Sequence, residues 1–217
     1  MIKTIIFDMD GVIVDSEYTF LESKTQMLQS YGYDKGMDYQ YQFMGTTFEF
    51  MWTKMKQELE LPNSVEDYIV EMNQRRQRMI AKDGVQAIPH VKALIQELFE
   101  EKFQLVVASS SPKKEIESNL EALGLINYFS YLISGEEVEY SKPAPDIFLK
   151  AAKLTNTASE QCLVFEDTTN GTKAAKAAKM MCIGFSNPDY PEQELYADKI
   201  IHDFREINAY KIKNWKK

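Results

Sequence analysis

The chain has 217 residues, and 33 acidic against 25 basic side chains leave a formal net charge of −8. Hydrophobic residues make up 44% and charged residues 27%, enough apolar mass to bury a core and therefore not the composition of a disordered chain. The acidic balance lacks the footprint needed to hold a nucleic-acid backbone, and no apolar run approaches the roughly 18 residues that span a bilayer, so neither partner is expected.

In chain order, residues 2–7 form a short β-branched apolar run that reads as a strand ending at Asp8. From about Ser16 to Gln86 no convincing strand follows. Helical patterns fit near 17–31, 47–60 and 64–82, punctuated by Gly32, Gly36, Gly45 and Pro62. An all-helical block inserted after a first strand is a cap architecture, predicting a helical cap over 16–86 and an α/β core from 1–15 and 87–217.

Beyond it, Pro89–Lys102 repeats Val91, Leu94, Ile95, Leu98 and Phe99 at the spacing of an amphipathic helix. Strands are predicted at Phe103–Ala108, Tyr131–Ser134, Cys162–Phe165 and Cys182–Phe185. Between them, helices are predicted over Pro112–Leu123 and Pro143–Leu154, each with a proline in its first turn, and an Ala-rich helix over 172–180. Gly124 marks a helix stop, and Lys211–Lys217 reads as a frayed basic tail. Such alternation specifies an α/β fold: a Rossmann-like parallel sheet with helices on both faces.

Cys162 and Cys182 each lie in an apolar run and match no zinc spacing, so they read as buried core thiols. The first apolar run meets Asp8 and Asp10 too early for a signal-peptide core, which points to a reducing cytoplasm. Nothing in the sequence suggests an obligate interface, and a monomer is expected.

The chemistry starts at Asp8-Met9-Asp10-Gly11. Carboxylates two residues apart in a strand-end loop can face one site, where two unit charges about 4 Å apart repel by roughly 4 kcal/mol at an effective dielectric near 20. A divalent cation removes that penalty, and oxygen ligands at strand ends suit Mg²⁺. Alone, Asp-x-Asp is more often a solvated turn. Three later features sharpen it. Val106–Ser109 ends a strand in a hydroxyl, followed by Ser110, Ser111 and a Pro-opened helix, a turn that offers backbone N–H groups to an anion. Lys142 precedes another helix start, and Glu166-Asp167 closes a buried run with two acids, a costly arrangement without a counter-charge. All these features fall at the carboxyl ends of parallel strands, where ligands bind in open α/β sheets.

Through Asp8-Met9-Asp10-Gly11-Val12, Ser109, Lys142 and Glu166-Asp167, in that order, the chain resembles the haloacid dehalogenase superfamily. The spans Phe7–Glu17, Ser141–Phe148 and Phe165–Gly171 look like its branch of β-phosphoglucomutases and small phosphatases, and the resemblance covers essentially the whole chain. It implies Asp8 as the nucleophile of an aspartyl-phosphate intermediate and Asp10 as general acid, then base. It implies Mg²⁺ held by the Asp8 side chain, the Asp10 carbonyl and Asp167, with Glu166 in or near the ligand shell. Ser109, beside Ser110, and Lys142 would bind the transferring phosphoryl group of a small phosphorylated metabolite. The acid at position 10 favours phosphoryl transfer over dehalogenation.

The cap loop Met44-Gly45-Thr46-Thr47-Phe48-Glu49 looks like the family's substrate-specificity loop, built around its glycine. The mutases carry a lysine before that glycine and an arginine three residues after it; this chain has Met44 and Phe48. Where they carry a histidine after the first acids, it has Thr19 and Phe20, and its own His90 and His202 read as surface or helix-end residues. A phosphatase is thus expected ahead of a hexose-phosphate mutase, and ahead of a non-catalytic binding protein on the same fold. Arg75, Arg76 and Arg78 form either a receptor for a second anionic group or, more commonly for such a cluster, a solvated helix face. Phe48, Met51 and Trp52 either line an apolar pocket or, the commoner outcome, pack within the cap.

Overall fold

A computed structural model describes residues 1–44 and 46–215. The chain divides into two compact units, Ser16–Gly84 and the remainder, residues 1–15 with those from Val85 onward.

In chain order the elements are β1 (Thr4–Phe7), α1 (Ser16–Ser30), α2 (Met37–Tyr41), α3 (Phe48–Leu59), α4 (Val65–Asp83) and α5 (Val91–Glu100). There follow β2 (Gln104–Ser109), α6 (Lys113–Ala122), β3 (Tyr131–Ser134), α7 (Asp146–Leu154), β4 (Cys162–Glu166), α8 (Thr169–Ala177), β5 (Met181–Phe185), β6 (Lys199–Ile201) and α9 (Ala209–Lys213).

The larger unit carries one sheet of six strands, ordered β3-β2-β1-β4-β5-β6, with every pairing parallel. This is the Rossmann-like α/β fold expected from strand–helix alternation. Its inner strands β2, β1, β4 and β5 are buried on both faces, so alternate residues enter different cores. Phe7, Leu105, Val107 and Phe165 meet α5, α6 and α9 on one side, while Ile6, Val106, Ala108 and Val164 meet α7 and α8 on the other. Each such buried Val, Leu, Ile or Phe side chain contributes about 1.5–3 kcal/mol, and Phe7 stacks on Phe165 at 4.8 Å between ring centroids. Register sets the site: Phe7 pairs with Val107 on one side and Phe165 on the other, so Asp8, Ser109 and Glu166 finish neighbouring strands. Because the chain leaves β1 first toward β2 and later toward β4, that end is a topological switch point.

Several boundaries move for local reasons. Pro112 and Pro145 stand at the N-caps of α6 and α7 rather than within their first turns. Helix α8 starts at Thr169, ahead of the expected 172, because the Thr168 hydroxyl accepts the Gly171 N–H. Strand β6 is too short to register as an apolar run. The expected frayed tail is a helix at its start: Asn208 caps α9, and Ile212 is buried in the core shared with α5. Cys162 and Cys182 are buried free thiols, as expected, and burial pushes the Cys162 thiol up to about 11.

Within the helical unit, α4 pairs with α1 and α3. Ser64 and Asp67 cap α4 reciprocally, and Thr47 caps α3. Trp52 stacks on Tyr68 at 5.1 Å, and Met51, Met55 and Met72 complete the core around them.

Candidate active site

Asp8 prolongs β1 by donating its N–H to the Phe165 carbonyl, and its side chain is buried at the strand end. The turn after it is tight. Met9 O accepts the N–H groups of Val12, Ile13 and Val14, and Gly11 adopts φ +75°. Gly11 is also required by space, because a Cβ there would lie 2.0 Å from Asp167 Oδ2. Asp167 is thereby admitted against the loop that carries Asp10.

Lys142, arriving ahead of α7, places Nζ 2.5 Å from Asp8 Oδ1, 2.7 Å from Glu166 Oε1 and 3.3 Å from the Ala108 carbonyl. Burial pulls the ammonium down, but Asp8 and Glu166 outweigh it and hold it well above the usual lysine range. Burial also pushes the Asp8 carboxyl up to about 7, opposed by Lys142 and reinforced by the charges of Glu166 and Asp10.

Glu166 is fully committed. Its second oxygen accepts the Thr168 N–H at 2.8 Å and hydroxyl at 2.9 Å, and Gly171 makes room where a Cβ would stand 1.6 Å from Oε1. Glu166 thus clamps Lys142 and Thr168 together. Among the described residues, no group of three or more His, Cys, Asp or Glu side chains gathers to hold a metal. Asp8 ends the neighbouring strand, and Asp167 lies against the loop of Asp10 and Gly11. A cation fits these acids, since burial disfavours the charged Asp8 carboxylate and the charges of Glu166 and Asp10 add to that, against the attraction of Lys142.

The serine turn after β2 lies beside Asp10. Ser111 Oγ donates to Asp10 Oδ2 at 2.6 Å, and Ser109 Oγ lies 3.4 Å from the same oxygen. Ser110 is exposed at the tip. Not all amides of this turn are open to an anion: Ser111 N–H donates to Ser109 Oγ, and Lys113 N–H to Glu136 Oε2. Sequence reasoning missed Ser111 and Thr168. The available signal was the spacing of two between Ser109 and Ser111, the same that pairs Asp8 with Asp10.

The model of the haloacid dehalogenase-like hydrolases matches residues 5–185, which include every one of these groups. The chain belongs to this family. A phosphorylated carbohydrates phosphatase of Thermotoga maritima is 29% identical over 176 residues, spanning 81% of each chain. Fructose-1-phosphate phosphatase of Escherichia coli is 30% identical over 178 residues, spanning 81% of this chain and 92% of that one. The fold is shared with β-phosphoglucomutase of Clostridium difficile, at a TM-score of 0.73 and 21% identity, over 98% of this chain and 96% of that one. Its standing among such relatives makes this family member a phosphoric monoester hydrolase.

In the helical unit of the hydrolase, Gly45 lies outside the described residues. Thr46 donates its hydroxyl to the Phe43 carbonyl, Thr47 is the α3 cap, and Phe48 packs on Phe20 at 5.4 Å. Met51 and Trp52 are core residues. The arginines disperse: Arg75 pairs with Glu71 at 2.8 Å and reaches Ser30 Oγ, Arg76 lies 3.2 Å above the Phe20 ring, and Arg78 is exposed. His90 caps α5 and meets Asp203 at 3.1 Å. Thr19, at the mutases' histidine position, is tied to the Ser16 carbonyl.

Proposed function

We propose that the hydrolase is a Mg²⁺-dependent phosphatase of a small phosphorylated metabolite, of the sugar-phosphate class, working through an aspartyl-phosphate on Asp8. The observation that carries this reading is the Asp8–Lys142 contact at 2.5 Å beside an Asp10 carboxylate held by serine hydroxyls. A buried nucleophile, a fixed cation and a positioned acid then share one strand end.

In the first step an Asp8 carboxylate oxygen attacks phosphorus and the bond from phosphorus to the ester oxygen breaks, while Asp10 gives its proton to that leaving oxygen. In the second step water attacks the same phosphorus, Asp10 takes its proton, and the bond to Asp8 breaks to release phosphate. Lys142 and Ser109 offset charge on the equatorial oxygens. Glu166 holds Lys142 in place. The Asp8 and Asp167 carboxylates and the Asp10 carbonyl would hold the metal. Bound there, Mg²⁺ neutralises carboxylate charge and polarises the phosphoryl group. Residues 16–84 would serve as the cap that selects the substrate, through the loop at Thr46, Thr47 and Phe48.

A panel of sugar phosphates and other monoesters tests the reading by phosphate release. Steady turnover with Mg²⁺ is expected. It is abolished by EDTA and reduced at least about 10⁴-fold by Asp8→Asn, as for the loss of other enzymic nucleophiles. Isomerisation of β-glucose 1-phosphate with little net phosphate would establish mutase chemistry instead, and an inert protein on the whole panel would overturn both.

A further inference from the structure

The hydroxyl network around Asp10 reaches beyond the residues assigned so far. We propose that Ser111 is a positioning residue for Asp10, fixing the carboxyl in the orientation from which it delivers its proton; this rests on Asp10 being the general acid. Ser111 Oγ donates to Asp10 Oδ2 at 2.6 Å, the shorter of the two serine contacts to that oxygen, Ser109 standing at 3.4 Å. With Oδ2 engaged as an acceptor, Oδ1 is the oxygen left to carry the proton toward the ester. The hydroxyl thus selects an oxygen as well as a rotamer.

Ser111 is itself held from three directions. Its N–H donates to Ser109 Oγ at 3.0 Å, tying it to the end of β2. Its carbonyl accepts the Ser134 hydroxyl at 2.7 Å, and Ser134, fully buried at the end of β3, also accepts the Glu136 N–H at 3.1 Å. Pro112 follows directly as the α6 N-cap, and Lys113 is fixed by Glu136 Oε2 on its N–H and by the Leu132 carbonyl and Glu137 on its ammonium. Gly135 packs so closely that a Cβ there would lie 3.1 Å from Ser110 Cα. The turn is therefore clamped by β3, a strand that contributes no reacting group. A side chain on a rigid support positions a reacting group better than one on a free loop, and a misplacement of about 1 Å can cost on the order of 10²-fold in rate.

Leaving-group chemistry separates positioning from mere structure. An alkyl phosphate needs its departing oxygen protonated, whereas p-nitrophenyl phosphate, whose phenolate leaves unaided, does not. Because kcat/KM reports only steps up to phosphoenzyme formation, it isolates Asp10 as acid from Asp10 as base. With Mg²⁺ present, Ser111→Ala is expected to lower kcat/KM at least about 10-fold more on a sugar phosphate than on the aryl ester, part of the 10²–10⁴-fold typical of general acid catalysis. Ser111→Thr, which keeps the hydroxyl, restores the rate. Ser134→Ala gives the same contrast at smaller size, and an unchanged melting temperature shows that each variant is folded. Equal loss on both esters, or a raised KM at constant kcat, overturns the proposal. Asp10→Asn serves as the reference. A steep contrast there with none in Ser111→Ala overturns the role of Ser111 alone, while no contrast in Asp10→Asn overturns the general-acid reading and the proposal with it.

Discussion

Two buried lysines, one in each unit, have opposite fates. Lys142 meets two carboxylates, at 2.5 and 2.7 Å, and its ammonium is held well above the ordinary range. Lys24, on α1, is 5% exposed, and the acceptor the structure gives its Nζ is the Met51 sulfur at 3.4 Å. Burial pulls Lys24 down to about 8, with Glu17 opposing and Arg76 adding. The surroundings repeat the difference. Around Lys142, Glu166 has every oxygen engaged, whereas the helical unit buries the Gln40 amide and Trp52 Nε1 with no hydrogen-bond partner among the described residues. A buried charge is tolerated where acids hydrogen-bond it and is a liability where its hydrogen-bond acceptor is a thioether and burial outweighs the acid nearby. The α/β unit thus buries ions in a matched set suited to chemistry, and the helical unit keeps a cation at a cost to its own stability.

The largest test of that contrast removes the matched cation. Lys142→Met leaves Asp8 and Glu166 buried without their counter-charge, an expected loss of about 3–5 kcal/mol in urea unfolding of chelator-treated protein, together with loss of phosphatase turnover. The cost should shrink at pH 5.5. Asp8, at about 7 in the fold, is then protonated and needs no partner. A loss below about 1 kcal/mol at pH 8 would mean that the two acids do not depend on the ammonium.

The opposite sign is expected for Lys24→Met. At neutral pH the wild-type ammonium is charged in a site that disfavours it, so an apolar replacement of similar length should stabilise by on the order of 1–2 kcal/mol. Lys24 has a lower value folded, about 8, than its ordinary 10.5. Between those limits the unfolded chain binds more protons, so wild-type stability should rise with pH, by at most about 3 kcal/mol. Lys24→Met should lack that rise. Destabilisation by the variant would show that the attraction of Glu17 outweighs burial.

The two units also differ in how far their sequences disclosed them. The parallel strands were legible because burial on both faces writes uninterrupted apolar runs, as in Leu105–Ala108 and Leu163–Phe165. Strand β6 and helix α9 were not, since each offers too few apolar positions to establish a period. In the site, the acids, Ser109 and Lys142 were visible as residue types at strand ends. What composition could not reveal is allegiance: that Glu166 holds Lys142 and Thr168 on its oxygens depends on which strand ends the sheet brings together. Likewise, Arg75, Arg76 and Arg78 form a cluster only along the chain. On α4 their spacing turns one toward Glu71, one onto Phe20 and one outward.

The smallest expected effect concerns the clamp behind the serine turn, where matching occurs at the surface. Burial pushes Glu137 up, but hydrogen bonds from Lys150, the Ser134 N–H and Lys113 outweigh it and bring its carboxyl down to about 2 from 4.5. A depressed carboxyl stabilises the fold above its unfolded value and loses that contribution as pH falls through the folded one, so the window runs from about 4.5 down to 2. With 35% of the side chain exposed, solvent screening keeps the contribution below about 1 kcal/mol. Urea midpoints of wild type and Glu137→Gln should therefore differ slightly at pH 5.5 and converge as pH falls toward 3. A difference that persists unchanged at pH 3 would assign the clamp to shape rather than charge.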